Sequence, residues 1–209
     1  LLNGVENVAT LCSIIDKKYV LGGLCKVVSK VEDYGVINHL SYEPTIVFGE
    51  LDTIKTARAL ELEQTFLNAG ITTKLSNNIQ QEIWTKFLFI TTISAIGALT
   101  RATIGEMVAS PELKNIMYKT AEEIVNVAKA KGVNLHKDII EKQFQIIESQ
   151  PYDTTSSLQR DIMQGKPSEL ESQNGTIVKM GKELGIPTPM NAIIYNCLLP
   201  QEKMARGLD

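Results

Sequence analysis

Lys86 stands at the head of a run from Phe87 to Leu99 that carries no charged side chain. Burying an ammonium is costly, and it lowers the lysine pKa toward the range useful for proton transfer. A lysine in this place either snorkels, with its stem on apolar surface and its head in water, or serves as a general acid or anion clamp. Glu169 is a second candidate. It follows Pro167-Ser168 in the first turn of an expected helix, where the helix N-terminus favours a carboxylate. It shares a helical face with Gln173 and Thr176, although a good first-turn residue needs no further role. Third are the hydroxyls Thr154-Thr155-Ser156-Ser157, which can cap a helix or, with its free N–H groups, hold a carboxylate. Fourth is Asn3-Gly4, either a turn with Gly4 at positive φ or an amide at the C-terminal edge of a sheet, where α/β proteins place ligands. None of these is specific alone. The sequence holds no Gly-rich phosphate loop, no Ser-His-Asp arrangement and no metal-ligand spacing.

The elements that must position these residues fall into two textures. Up to about residue 77 the pattern is mixed α and β. A helix is expected over Val5 to Ile15. β-formers fill Tyr19 to Val31, with Gly22-Gly23 marking a bulge or a close backbone approach. Asp33-Tyr34-Gly35 reads as a turn, and Val36 to Leu40 and Thr45 to Phe48 as short strands, together a small antiparallel meander. A helix over Thr53 to Asn68, closed by Gly70, leads to a strand over Ile71 to Leu75. From Asn78 helical periodicity takes over. Helices are expected at about 78–97, 102–108, 110–131, 135–149, 156–164, 168–184 and 189–204. Ser110-Pro111 and Thr188-Pro189 read as cap-plus-Pro starts, and Ser168 with Glu171 as a capping box. This gives a division into 1–77 and an all-helical 78–209.

Composition narrows the class. The 209 residues are 44% hydrophobic and 22% charged, with net charge −3 and both signs interspersed. There is no basic stripe for nucleic acid and no polybasic membrane patch. The three cysteines, Cys12, Cys25 and Cys197, and the two histidines, His39 and His136, form neither a disulfide framework nor a metal site. A reducing cytoplasm is the expectation. The uncharged run falls short of the roughly 20 residues that span a bilayer. The start, Leu1-Leu2-Asn3-Gly4, lacks Met and reads as a strand end entering a turn, so the expectation is the rear part of a longer protein.

Taken in order, the motifs resemble one family. They are Asn3-Gly4, Val20-Leu21-Gly22-Gly23-Leu24-Cys25, Gly35-Val36-Ile37-Asn38-His39 and Ile46-Val47-Phe48-Gly49-Glu50-Leu51-Asp52. Trp84-Thr85-Lys86-Phe87, Ala98-Leu99-Thr100 and Ser156-Ser157-Leu158-Gln159-Arg160-Asp161 follow. The last are Glu169-Leu170-Glu171-Ser172-Gln173-Asn174-Gly175 and Gly185-Ile186-Pro187-Thr188-Pro189-Met190-Asn191. The series resembles ketopantoate reductase (2-dehydropantoate 2-reductase) and its relatives over essentially the whole chain.

The resemblance implies the C-terminal part of a Rossmann-type NADP-binding domain, then an all-α domain like the C-terminal domain of 6-phosphogluconate dehydrogenase. It implies reduction of a 2-oxo acid by NADPH, ketopantoate to pantoate, on the way to pantothenate and coenzyme A. By the same resemblance Lys86 is the general acid. Glu169 binds the substrate hydroxyl and joins Asn3 at the cofactor, and Ser157 and Ser94 contact substrate. Lys86, Glu169 and Ser157 are expected to line one concavity facing Asn3. Two departures stand out. Pantoate-forming members carry asparagines one and two turns after the lysine, where this chain has Ile90 and Ser94. Without the Gly-rich loop this chain by itself is expected to bind NADPH poorly and to be inactive. Two alternatives remain: a paralogue that reduces another 2-oxo acid, and a non-catalytic helical dimerisation or interaction domain. The long apolar helices leave room for a homodimer.

Overall fold

The computed structural model describes residues 2–39 and 43–208. Leu40, at the end of one expected strand, lies outside the described residues. The chain divides into two compact units, 1–83 and 84–209, with the boundary inside one long helix.

The first unit contains α1 (Asn7–Cys12), a 3-10 turn, β1 (Leu21–Lys26), β2 (Ser29–Asp33), β3 (Val36–His39), β4 (Thr45–Glu50), α2 (Ala57–Asn68), β5 (Thr73–Leu75) and the start of α3 (Ile79–Thr100). The expected meander does not form. β1 pairs antiparallel with β4, and β4 pairs parallel with β5, giving the order β1-β4-β5. β2 and β3 make a separate hairpin around Gly35, whose φ is 74°. Local pattern marks each strand, but the choice of partner depends on what covers the sheet faces.

Here both faces are covered. Val47 and Phe48 point to opposite sides, as successive strand residues must. Val47 packs with Leu24, Ile79 and Ile83, and Phe48 with Ala59 and Leu75. Phe66 of α2 meets Phe48 edge-on at 5.8 Å. Gly22 and Gly49 are needed where α3 begins. A Cβ on Gly22 would stand 2.9 Å from the Ile79 side chain, and one on Gly49 2.8 Å from the Ser76 carbonyl. The result is a Rossmann-like α/β unit. Within it the buried Glu50, at the end of β4, accepts two N–H groups from Arg58 at 2.8 and 2.6 Å and the hydroxyl of Thr56. Thr56 caps α2, so this carboxylate ties sheet to helix.

The second unit is all helical: the rest of α3, α4 (Ile104–Ala109), α5 (Pro111–Ala130), α6 (Ile139–Glu148), α7 (Ser157–Met163), a π turn at Glu171–Gly175, α8 (Thr176–Leu184) and α9 (Pro189–Ala205). α5 buries Met117, Ala121, Ile124 and Ala128, the stripe its 3.6 periodicity dictates. α3 is long and apolar enough to cross a membrane by length and composition, but 67% of its most apolar stretch is buried within the protein, as in a core helix.

Two caps differ from the local expectation, for one reason. Glu171 does not reach back to Ser168; the buried Glu202 of α9 takes the Ser168 N–H and hydroxyl instead. Thr188 makes no side-chain cap; Glu123 of α5 accepts the N–H groups of Met190 and Asn191 at 2.8 and 3.0 Å. In both places a carboxylate from a distant helix satisfies the orphan donors of a helix start.

Candidate active site

Lys86 occupies the second turn of α3 and is half-buried. Its neighbours Trp84 and Phe87 are 3% and 1% exposed, and their rings meet edge-on at 5.6 Å. These two aromatics fix the helix face from which Lys86 projects. Ile90 follows one turn later on that face and is half-buried. Ser94 follows about 80° round and roughly 12 Å along the axis from Lys86, and is buried.

Glu169 lies in the same unit, half-buried, just before the π turn. Its Oε2 accepts the side-chain N–H of Gln173 at 3.2 Å, which is the i,i+4 stripe expected from spacing. Gln173 is 2% exposed, and its Oε1 is buried with no partner. The amide orientation is set by this contact, because the flipped amide would turn an acceptor toward the carboxylate. Glu171, on the opposite side of the turn, accepts the Tyr195 hydroxyl at 2.5 Å. Burial, then this bond, pushes the Tyr195 phenol up to about 12.

Ser157 is the first residue of α7 and is exposed. The cap is its neighbour Ser156, which accepts the Gln159 N–H at 3.1 Å. Thr155 accepts Arg160 through both its carbonyl and its hydroxyl. Of the hydroxyl cluster, Ser157 is thus left available to the surface.

Asn3 belongs to the α/β unit and is half-buried. Asn7 closes the turn by donating to the carbonyls of Asn3 and Gly4 at 2.8 and 3.3 Å, with Gly4 at φ 96°. Beside this turn is an apolar cavity of about 230 Å³ lined by Gly4, Val5, Leu21, Gly23, Phe66 and Ile83 among others. The residues that sequence alone left unremarked are Glu123 and Glu202; with Asn191, quoted in the motif series but given no role, each is buried and hydrogen-bonded to a residue more than 10 positions away. A carboxylate at a helix interior with an arginine one turn on, as in Glu202 and Arg206, was the available signal.

Residues 78–202 match the family model for ketopantoate reductase PanE/ApbA, C-terminal. An uncharacterized oxidoreductase, YkpB, of Bacillus subtilis is 29% identical over 194 residues, covering 93% of this chain and 64% of that protein. A 2-dehydropantoate 2-reductase of Archaeoglobus fulgidus is 31% identical over 196 residues, covering 94% of this chain and 65% of its own. The chain thus spans just under two thirds of the length of these curated relatives. A PanE/ApbA family ketopantoate reductase from Ralstonia eutropha has a TM-score of 0.87 at 29% identity, over 99% of this chain and 66% of that one. A D-mandelate dehydrogenase with NADH and anilino(oxo)acetate has a TM-score of 0.86 at 18% identity, over 99% and 67%, a likeness of fold. With its helical unit matched over most of its length and its Rossmann-like unit in place, the chain belongs to the ketopantoate reductase PanE/ApbA family.

Proposed function

We propose that this chain is the substrate-binding and proton-donating part of an NADPH-dependent 2-oxo acid reductase, with ketopantoate as the first substrate to try. The observation that carries the reading is Lys86, half-buried on α3 beside the buried Trp84 and Phe87 in sequence, in a unit that also supplies Glu169 on a held turn. NADPH, when bound, supplies hydride to the carbonyl carbon. Negative charge then builds on the carbonyl oxygen. The Lys86 ammonium stabilises that charge and delivers the proton that completes the alcohol. An interaction that strengthens as charge develops acts on the transition state more than on the ground state. Glu169 accepts a substrate hydroxyl and fixes its orientation, and Ser157 and Ser94 complete the substrate contacts. Asn3 and Glu169 serve the nicotinamide end of the cofactor. The chain's own residues suit that end only; it has no Gly-rich loop for the pyrophosphate.

A second reading keeps the reaction and changes the acid. Ile90 cannot hydrogen-bond a hydroxyl or carboxylate, and it sits on the Lys86 face of α3. That favours a more apolar 2-oxo acid. NADPH oxidation by the complete gene product against a panel of 2-oxo acids tests both. Turnover of ketopantoate supports the first, turnover of a bulkier apolar acid alone supports the second, and no turnover of any removes the reductase reading. The cytoplasm is the proposed compartment, and assembly as a homodimer is to be read from the same preparation by light scattering.

A further inference from the structure

We propose that α9 is the template that sets the position of Glu169, with Glu202 and Asn191 as positioning residues acting through Ser168 and Asn174. The inference rests on the reading of Glu169 as a substrate-binding carboxylate.

Three side chains on one face of α9 grip three successive points of the segment that carries Glu169. Asn191 accepts the side-chain N–H of Asn174 at 3.0 Å. Tyr195 donates to Glu171. Glu202 accepts the Ser168 N–H at 3.0 and 3.1 Å and the Ser168 hydroxyl at 2.6 Å. Arg206 closes the last contact, donating to Glu202 at 2.7 Å and to the Ser168 carbonyl at 2.7 Å. Both polar groups of the Ser168 backbone and its hydroxyl are therefore occupied immediately before Glu169. Asn191 is itself held by Glu123, which accepts its backbone and side-chain N–H groups at 3.0 and 2.7 Å.

Packing alone would not need this arrangement. α9 already buries Ile194 and Leu198, and Leu170 and Ile177 are buried on the segment it faces. A buried carboxylate with its lone pairs satisfied adds little net stability over an apolar replacement; what it can add is a defined geometry. The gripped segment contains the π turn at Glu171–Gly175, with Glu171 and Asn174 held inside it and Ser168 held just before it. Such turns are rare, are frequent at functional sites, and persist where the surroundings over-determine them. Gln173, inside the turn, donates its side-chain N–H to the Glu169 carboxylate.

The test is a double-mutant cycle in the complete gene product, using the 2-oxo acid it turns over best. Glu202→Gln halves the acceptors available to Ser168 and removes the charge facing Arg206. We expect its KM for the oxo acid to rise about tenfold, since small misplacements of binding groups have effects of this size or larger. In a Glu169→Ala background the same substitution should leave the oxo-acid KM unchanged, because the group it positions is gone. Should Glu202→Gln not fold, Ser168→Ala, which deletes the hydroxyl that donates to Glu202 and accepts the Leu170 N–H, is read in the same cycle. An unchanged KM in the enzyme that retains Glu169, or an equal rise in both backgrounds, overturns the proposal. A Glu169→Ala enzyme with unaltered KM instead overturns the role of Glu169, and with it this inference.

Discussion

Gln159 donates its side-chain N–H to the carbonyl of Ala102 at 2.9 Å, 57 residues earlier, and lies so close to Gly97 that a Cβ there would stand 2.5 Å from its Oε1. Gln159 is 1% exposed, so this bond joins α7, which begins with Ser157, to the segment just after the helix that carries Lys86 and Ser94. Gly97→Ala should displace Gln159 and leave buried polar groups unpaired, at a cost of about 1–3 kcal/mol. Denaturant unfolding of the variant checks this; a midpoint equal to that of the parent would show that Gln159 yields without loss.

Glu50 gives the α/β unit a pH dependence. The Arg58 guanidinium holds its carboxyl below the ordinary value of 4.5, with the Thr56 hydroxyl acting in the same direction against burial. A lowered folded value means that the stabilisation is complete above the ordinary value and is lost as pH falls below it. Glu50→Gln should therefore melt below the parent at neutral pH, and the gap should close as pH falls below the ordinary value of 4.5. A gap that does not change with pH would remove this role.

Tyr195 acts at the other end of the scale. Its phenol is raised from 10.0 to about 12, so its contribution is complete below 10 and is lost as pH rises through about 12. Alkaline titration of tyrosinate absorbance should show a tyrosine ionising near 12 that Tyr195→Phe removes, while Tyr118, also raised by the charge of Glu141, remains. The variant should also lose less stability than the parent between about pH 10 and 12. Disappearance of a tyrosine with an ordinary titration would contradict the contact with Glu171.

The helical half of the fold was legible because periodicity and punctuation act locally. Every expected helix from 78 onward is present, and Gly185 closes α8 at φ 69° as its sequence position suggests. The α/β half was less so. The first helix shrank to Asn7–Cys12 and buries no residue, and β4 chose β1 and β5 over the neighbouring hairpin. Strand choice depends on both faces of the sheet, and no window of sequence contains them. Glu171's return to Ser168 and the Thr188 cap failed for a related reason, although the Ser168 hydroxyl does accept the Leu170 N–H. A local pattern proposes a partner three residues away, whereas Glu202 and Glu123 arrive from 34 and 67 residues away and bind more donors. The candidate site followed the same division. Lys86, Glu169 and Ser157 were visible as an ordered series, and the Glu169–Gln173 contact as a spacing. The grip of α9 on that turn was not, because it exists only once two helices cross.

The measurement closest to the central claim is the turnover of Lys86→Ala in the complete gene product, with NADPH and the 2-oxo acid that the parent reduces fastest. Loss of a charge-stabilising proton donor should lower kcat by at least about a hundredfold. The fold should be intact by circular dichroism. A Lys86→Ala enzyme that keeps the parent's kcat would contradict the assignment of Lys86 as the general acid.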